Sequence, residues 1–112
     1  MTLSSAEADP VFSAAALAEV DVLVLPTLPV VAFDLPTGST SLDEVMAVSA
    51  GLMPNTCPFD ITGHPATSVP AGLSDGLPVG LMIVSRRLAD AMCLRVAQAH
   101  ESAVGGFPAP PA

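Results

Sequence analysis

The sequence predicts an α/β fold, a mixed β-sheet with flanking helices, carried by one domain, or part of one, over residues 1–112. Three observations point there. Between Asn55 and Ser85 the chain is mostly apolar and broken repeatedly by Gly and Pro. Within it, Ala66 to Ala71 and Val79 to Ser85 read as buried strands, because aliphatic and β-branched residues crowd between turn signals without a polar face. Next, the run from Val79 feeds directly into the longest helical pattern, Leu88 to Val104, which makes a βα unit. Finally, 51% hydrophobic against 12% charged residues is rich for 112 residues, since small domains have much surface to wet. A chain so composed is built to be covered by something else.

In chain order, residues 1–9 read as a flexible start. Asp9-Pro10 reads as a cap with Pro at the first helical position, opening an alanine-rich helix from Val11 to Glu19. Asp21 to Leu25 is an apolar run without alternation, as in a strand buried on both faces. Pro26-Thr27-Leu28-Pro29 stiffens its end, because each Pro lacks an N–H and restricts its predecessor. Pro36 to Thr40 is linker-like. Ser41-Leu42-Asp43-Glu44 has the form of a capping box, and a helix over Val45, Met46, Val48, Ser49 and Leu52 should stop before Pro54. Cys57 to Pro65 reads as a loop and turn.

Ser74-Asp75-Gly76-Leu77-Pro78 is a tight reversal whose Asp-Gly pair supplies positive φ, so the strands on either side should be antiparallel neighbours. In the last helix, Met92, Val96 and Ala99 with Leu94, Ala97 and Val104 form a broad apolar arc, and Gly105-Gly106 with Pro108 ends it. Residues 108–112 read as a flexible tail.

Eleven acids against three arginines give a formal charge of −8, which repels phosphate backbones and anionic bilayers and argues against nucleic-acid or membrane partners. No apolar run reaches the ~20 residues of a membrane span, and no signal peptide opens the chain, so the cytoplasm is the expected compartment. Cys57 and Cys93 have neither metal spacing nor a secretory signal and read as free packing thiols. No metal is expected from two His, two Cys and scattered acids.

His64, between Gly63 and Pro65, reads as a turn residue, and His100 as a half-exposed helical one. Asp60 and Asp75 belong to turns. Ser4-Ser5 lacks flanking glycines. For Arg86-Arg87 the plain role is solvation or pairing with Asp90, although a basic step at a strand's end could meet an anion.

The run Phe59-Asp60-Ile61-Thr62-Gly63-His64-Pro65-Ala66-Thr67-Ser68-Val69-Pro70-Ala71-Gly72, followed by Asp75-Gly76-Leu77-Pro78-Val79-Gly80-Leu81-Met82-Ile83-Val84, resembles the C-terminal part of amidase signature enzymes. Asp21 to Pro29 resembles that family's strand and Pro-Thr-x-Pro loop, and Leu94 to Glu101 its last helix. Residues 14 to 107 are covered, with several motifs in matching order. Asn55 to Asp60 is closer to the acyl amidases than to the tRNA-dependent amidotransferase subunits.

The resemblance implies cleavage of a carboxylic amide to the acid and ammonia or an amine, without a cofactor. The family's machinery is a Ser-Ser-Lys set and a glycine-serine loop that holds the oxyanion. This chain has no lysine and no such loop, so a Ser here would lack the general base that is typically worth ~100-fold to 10,000-fold. It is therefore expected to be inactive alone. The partner expected is a missing N-terminal amidase portion, or a second copy through self-association. The alternative is a non-catalytic module that docks on an amidase or self-associates. By the same resemblance Cys57 and Phe59 are pocket-lining candidates, and Gly63, His64, Pro65, Asp75, Gly76, Pro78 and Gly80 are structural motif residues.

Overall fold

A computed structural model describes residues 15–107 and residue 109. The expected flexible ends, the helix start at Asp9-Pro10 and Ser4-Ser5 lie outside these residues, apart from residue 109. Helix α1 is described over residues 15–19, followed by β1 (Val22–Pro26), α2 (Leu42–Leu52), α3 (Cys57–Thr62), β2 (Ala66–Ser74), β3 (Leu77–Ser85) and α4 (Asp90–Val104). The α/β class is as expected. Among the described residues both strand pairings are antiparallel, in the order β1-β3-β2, so the last strand in sequence is the central one.

Register and alternation sort the side chains into two faces. One face carries Val22, Val24, Thr67, Val69, Leu81, Ile83 and Ser85, and the other Leu23, Leu25, Ala66, Ser68, Gly80, Met82 and Val84. α4 lies on the first. The Cys93 thiol sits 3.3 Å from the Pro65 carbonyl, 3.4 Å from that of Ile83 and 3.2 Å from Ser85 Oγ, while His100 Nε2 is 3.1 Å from the Pro70 carbonyl. The helix therefore runs along β2 and leaves β1 uncovered on this side, where Val24 is 52% exposed. The buried apolar side chains among the described residues are Leu17, Val69, Met82, Ile83, Val84 and Cys93. Each full burial in this set is worth about 1.5–3 kcal/mol for a large aliphatic side chain.

The broad arc expected on α4 narrows in the structure. Cys93 is buried and Met92, Val96 and Ala97 are half-buried, but Leu94 and Val104 are 62% and 53% exposed, because the helix meets only β2 and β3. Both cysteines are free.

The turn between β2 and β3 has positive φ at both central residues, Asp75 at 51° and Gly76 at 80°, the two-residue reversal that suits the twist of flanking strands. Between Pro70 and Leu73 β2 carries one extra residue, a bulge that coincides with Gly72 at φ 106°. Pro70 lies on an edge strand. Pro78 lies on the central strand, but beyond the stretch that β1 covers, so its missing N–H costs no ladder bond on that side.

The capping box forms as the spacing requires. Ser41 Oγ accepts from the Glu44 N–H at 3.3 Å, and Glu44 Oε2 accepts from the Ser41 N–H at 2.7 Å and the Ser41 hydroxyl at 2.8 Å. The Ser41 backbone N–H, then its hydroxyl, holds the Glu44 carboxyl below its ordinary value. A depressed carboxylate contributes stability that is present above its unfolded pKa and lost as pH falls through the folded one. Acidifying from about pH 5 to about pH 3 should therefore lower the melting temperature partly through this cap. Ser41→Ala should cost about 1 kcal/mol at neutral pH and flatten that acid limb. Melts at fixed protein concentration would read both effects, and an unchanged limb in the variant would rule the cap out as its source.

α3 replaces the loop expected around Cys57. Its six residues have Pro58 in the first turn, where no N–H is needed, and end at Gly63, which is left-handed at φ 68°. Cys57 is thus a helical residue.

Candidate functional site

Two cavities flank the sheet. The larger, about 640 Å³, lies between the segment 26–33, Leu52 of α2 and the first half of β3. Its floor is built by three strands. Thr27 continues β1, its N–H donating to the Gly80 carbonyl at 2.9 Å, and its Oγ1 meets Ser68 Oγ at 2.6 Å across Gly80. A Cβ on Gly80 would stand 2.8 Å from Thr27 Oγ1 and 2.9 Å from Ser68 Oγ, so the missing side chain is what lets the hydroxyls meet. Asn55 Nδ2 donates to the Pro26 carbonyl at 2.8 Å and ties the α2–α3 connection to the same strand end. The result is a mostly apolar groove with a hydroxyl pair at its base, the make-up of a small-molecule pocket. Among the described residues no His, Asp or Glu lines it, so none of its hydroxyls has a base there to take its proton. The groove can bind and orient, but its own residues cannot activate a nucleophile.

The smaller cavity, about 310 Å³, is lined by Leu17, Ala18, His64, Arg86 and Arg87. Arg86 does not pair with Asp90 as the sequence suggested. Its Nε donates to the Leu17 carbonyl at 2.8 Å and its Nη2 to that of Val20 at 3.2 Å, with Asp21 3.7 Å away. The reason is alternation: Arg86 points to the face opposite α4, toward α1. Thr62 Oγ1 is 2.8 Å from the Pro58 carbonyl, to which it donates, and 2.7 Å from His64 Nδ1. With the hydroxyl proton so engaged, Nδ1–H is the donor to Thr62 and Nε2 carries the lone pair. Burial, and next the charge of Arg87, holds the imidazole below its ordinary value.

The expected motif residues divide between the two sites. Pro78 and Gly80 line the groove, and His64 lines the smaller cavity. Gly63 caps α3 beneath the Arg87 guanidinium, and the Pro65 carbonyl accepts from the Ser85 N–H at 3.1 Å. Asp75 and Gly76 make the turn. Cys57 and Phe59 are half-buried on α3, with Phe59 edge-on to His64 at 6.4 Å, and neither is among the residues lining the two cavities. Thr27, Ser68 and Asn55 escaped the sequence reading. The available signal was Gly80 inside a strand, which marks a close approach but not by whom. Among the described residues no three His, Cys, Asp or Glu side chains group to hold a metal, and no helix is long and apolar enough to cross a membrane.

The described residues thus form an antiparallel three-stranded sheet with α4 along one side and a groove cut into the other. The sequence model of the Amidase family matches residues 9–94, and the chain belongs to that family. An uncharacterized protein in the nthA 5′ region of Rhodococcus erythropolis is 50% identical over 95 residues, which are 85% of this chain and 48% of that one. The enantioselective amidase of Rhodococcus rhodochrous is 48% identical over 97 residues, 86% of this chain and 19% of the amidase. Among solved structures, a bacterial aryl acylamidase of the amidase signature family superposes with a TM-score of 0.70 at 27% identity, over 88% of this chain and 21% of that enzyme. The chain thus spans about half of the first relative and about a fifth of the other two.

Proposed function

We propose that this chain is the C-terminal part of an amidase that hydrolyses carboxylic amides to the acid and ammonia through a Ser-Ser-Lys acyl-enzyme, with the catalytic residues supplied by a portion outside this sequence. The observation that carries this reading is the amidase match over residues 9–94, in a chain that holds no lysine and covers 19% of the enantioselective amidase. The groove fits the reading: it offers apolar walls and the hydroxyls of Thr27, Ser68 and Ser74 for an amide's substituent but, among the described residues, no base. In the assembled enzyme Cys57 and Phe59, at the start of α3, border the acyl pocket.

The test is complementation. The purified chain alone should not hydrolyse acetamide, propionamide or benzamide above a no-protein control. Mixed with the R. rhodochrous amidase truncated of its own matching segment, it should restore turnover. Restoration by that enzyme's own segment but not by this chain, or turnover by this chain alone that survives repurification, would overturn the proposal.

A second reading, a non-catalytic module that docks on an amidase or self-associates, draws support from the R. erythropolis relative, whose 95 matched residues already make up 48% of its length. Binding to an intact amidase without effect on its rate would favour it.

A further inference from the structure

The smaller cavity gathers two of the chain's three cations and one of its two imidazoles, in a chain of net charge −8. We propose that it is an oxyanion-binding site, in which the Arg87 guanidinium and His64 Nε2 hold a carboxylate or a phosphate-like group against the fixed charge of Arg86. The three side chains have different duties. Arg86 is committed to the carbonyls of Leu17 and Val20, so it supplies a positive wall and little more. Arg87 rests over Gly63, its Nε 3.7 Å from where a Cβ would be, and the glycine leaves room for a planar guanidinium to lie against the backbone. Among the described residues only Arg86 stands within ion-pair distance of an acid, at Asp21, so no described carboxylate engages the Arg87 guanidinium, which lines the cavity. Such a fork suits two oxygens of one anion.

His64, whose ring lines the cavity, is held by two contacts, the hydrogen bond from Nδ1 to Thr62 and the edge-on ring of Phe59, and neither engages Nε2. In the neutral ring Nε2 carries a lone pair that would repel an anion, so binding takes up one proton to make Nε2–H a donor. The groups that face the imidazole are Arg87 and Arg86 from the β3–α4 connection, Thr62 and Phe59 from α3, and Leu17 and Ala18 from α1. Among the described residues no carboxylate lines the cavity to supply the countercharge. Proton and anion therefore enter together, and affinity should fall as pH rises.

The inference does not depend on the amide-hydrolysis reading, and its test needs no turnover. Equilibrium dialysis of the full chain against labelled sulfate and, separately, labelled acetate at constant ionic strength works whatever the association state. One anion per chain is expected, with affinity weakening about tenfold per pH unit above neutrality, a range over which sulfate's own charge is constant. Arg87→Gln should weaken binding at least about tenfold, Arg87→Lys less so, and Arg95→Gln not at all. His64→Gln should abolish the pH dependence. Circular dichroism checks that each variant is folded, and a failed Arg87→Gln leaves the Arg87→Lys and His64→Gln arms to decide. Binding of sulfate but not acetate assigns a phosphate-type ligand, binding of acetate but not sulfate assigns a carboxylate, and comparable binding of both supports a site for either oxyanion. No binding of either at millimolar concentration, or binding that Arg87 variants leave unchanged, would overturn the proposal.

Discussion

Sedimented at micromolar concentration, the isolated chain is expected to run as oligomers rather than as an 11.2 kDa species, and to bind a hydrophobic dye. Few apolar side chains are buried, while Leu35 is 87% exposed, Leu42 74%, Leu73 73% and Leu88 96%. The segment 28–35 adds Val30, Val31 and Phe33, each more than a third exposed, beside the open groove. Both edge strands, β1 and β2, offer unpaired backbone along their outer sides. The radius of gyration, 16.4 Å, exceeds the roughly 13 Å of a compact chain of this length. Exposed apolar surface on this scale drives association unless a partner covers it. A compact monomer with a cooperative melt and no dye binding would show instead an independently folding module, and the case for a missing covering portion would fail.

Gly80→Val is expected to cost the chain most of its ordered sheet. Even the Cβ of Gly80→Ala would fall 3.2 Å from Thr27 Cβ and inside contact distance of both hydroxyls, so on the central strand both Thr27 and Ser68 must shift to admit it. Overpacking of this kind costs about 1–3 kcal/mol for an added methyl, and a β-branched side chain at the same place costs more. The Gly80→Ala variant should also lose the Thr27–Ser68 hydrogen bond, leaving two hydroxyls to find other partners. Ser68→Gly in the Gly80→Ala background should recover part of the loss, because it reopens the space, and a double-mutant cycle should return a coupling of about 0.5–3 kcal/mol. Strict additivity would mean that the hydroxyl pair is not what Gly80 accommodates.

What could be read from the sequence was local. The capping box at Ser41 and Glu44, and the Asp75-Gly76 reversal, each depend on residues within three or four positions, and both stand where the spacing put them. α3 was missed because six residues are too few to show a helical period, although Pro58 and Gly63 bracket it. The floor of the groove was illegible for the opposite reason. Thr27 and Ser68 are 41 residues apart, and only the register of β1 and β2 against β3 brings them together. Arg86 likewise reaches back 69 residues to the Leu17 carbonyl, so its neighbour in sequence, Asp90, was the wrong partner to expect.

The central strand being the last in sequence fixes an order of events during synthesis. Among the described residues β1 pairs only with β3, through partners from Pro26 with Leu81 to Val22 with Ser85, so it has no partner there until the ribosome has delivered Leu81 and is not paired along its length until Ser85. Contacts so distant along the chain carry a loop-closure cost that must be met before they return anything. Until then Val22 to Leu25 is an apolar segment free to join any exposed edge, its own kind included. The same topology means that a stop anywhere before β3 leaves no sheet at all. Nascent chains cut at about residue 76 should be degraded or captured by chaperones, while those extending past Val104 should resist protease.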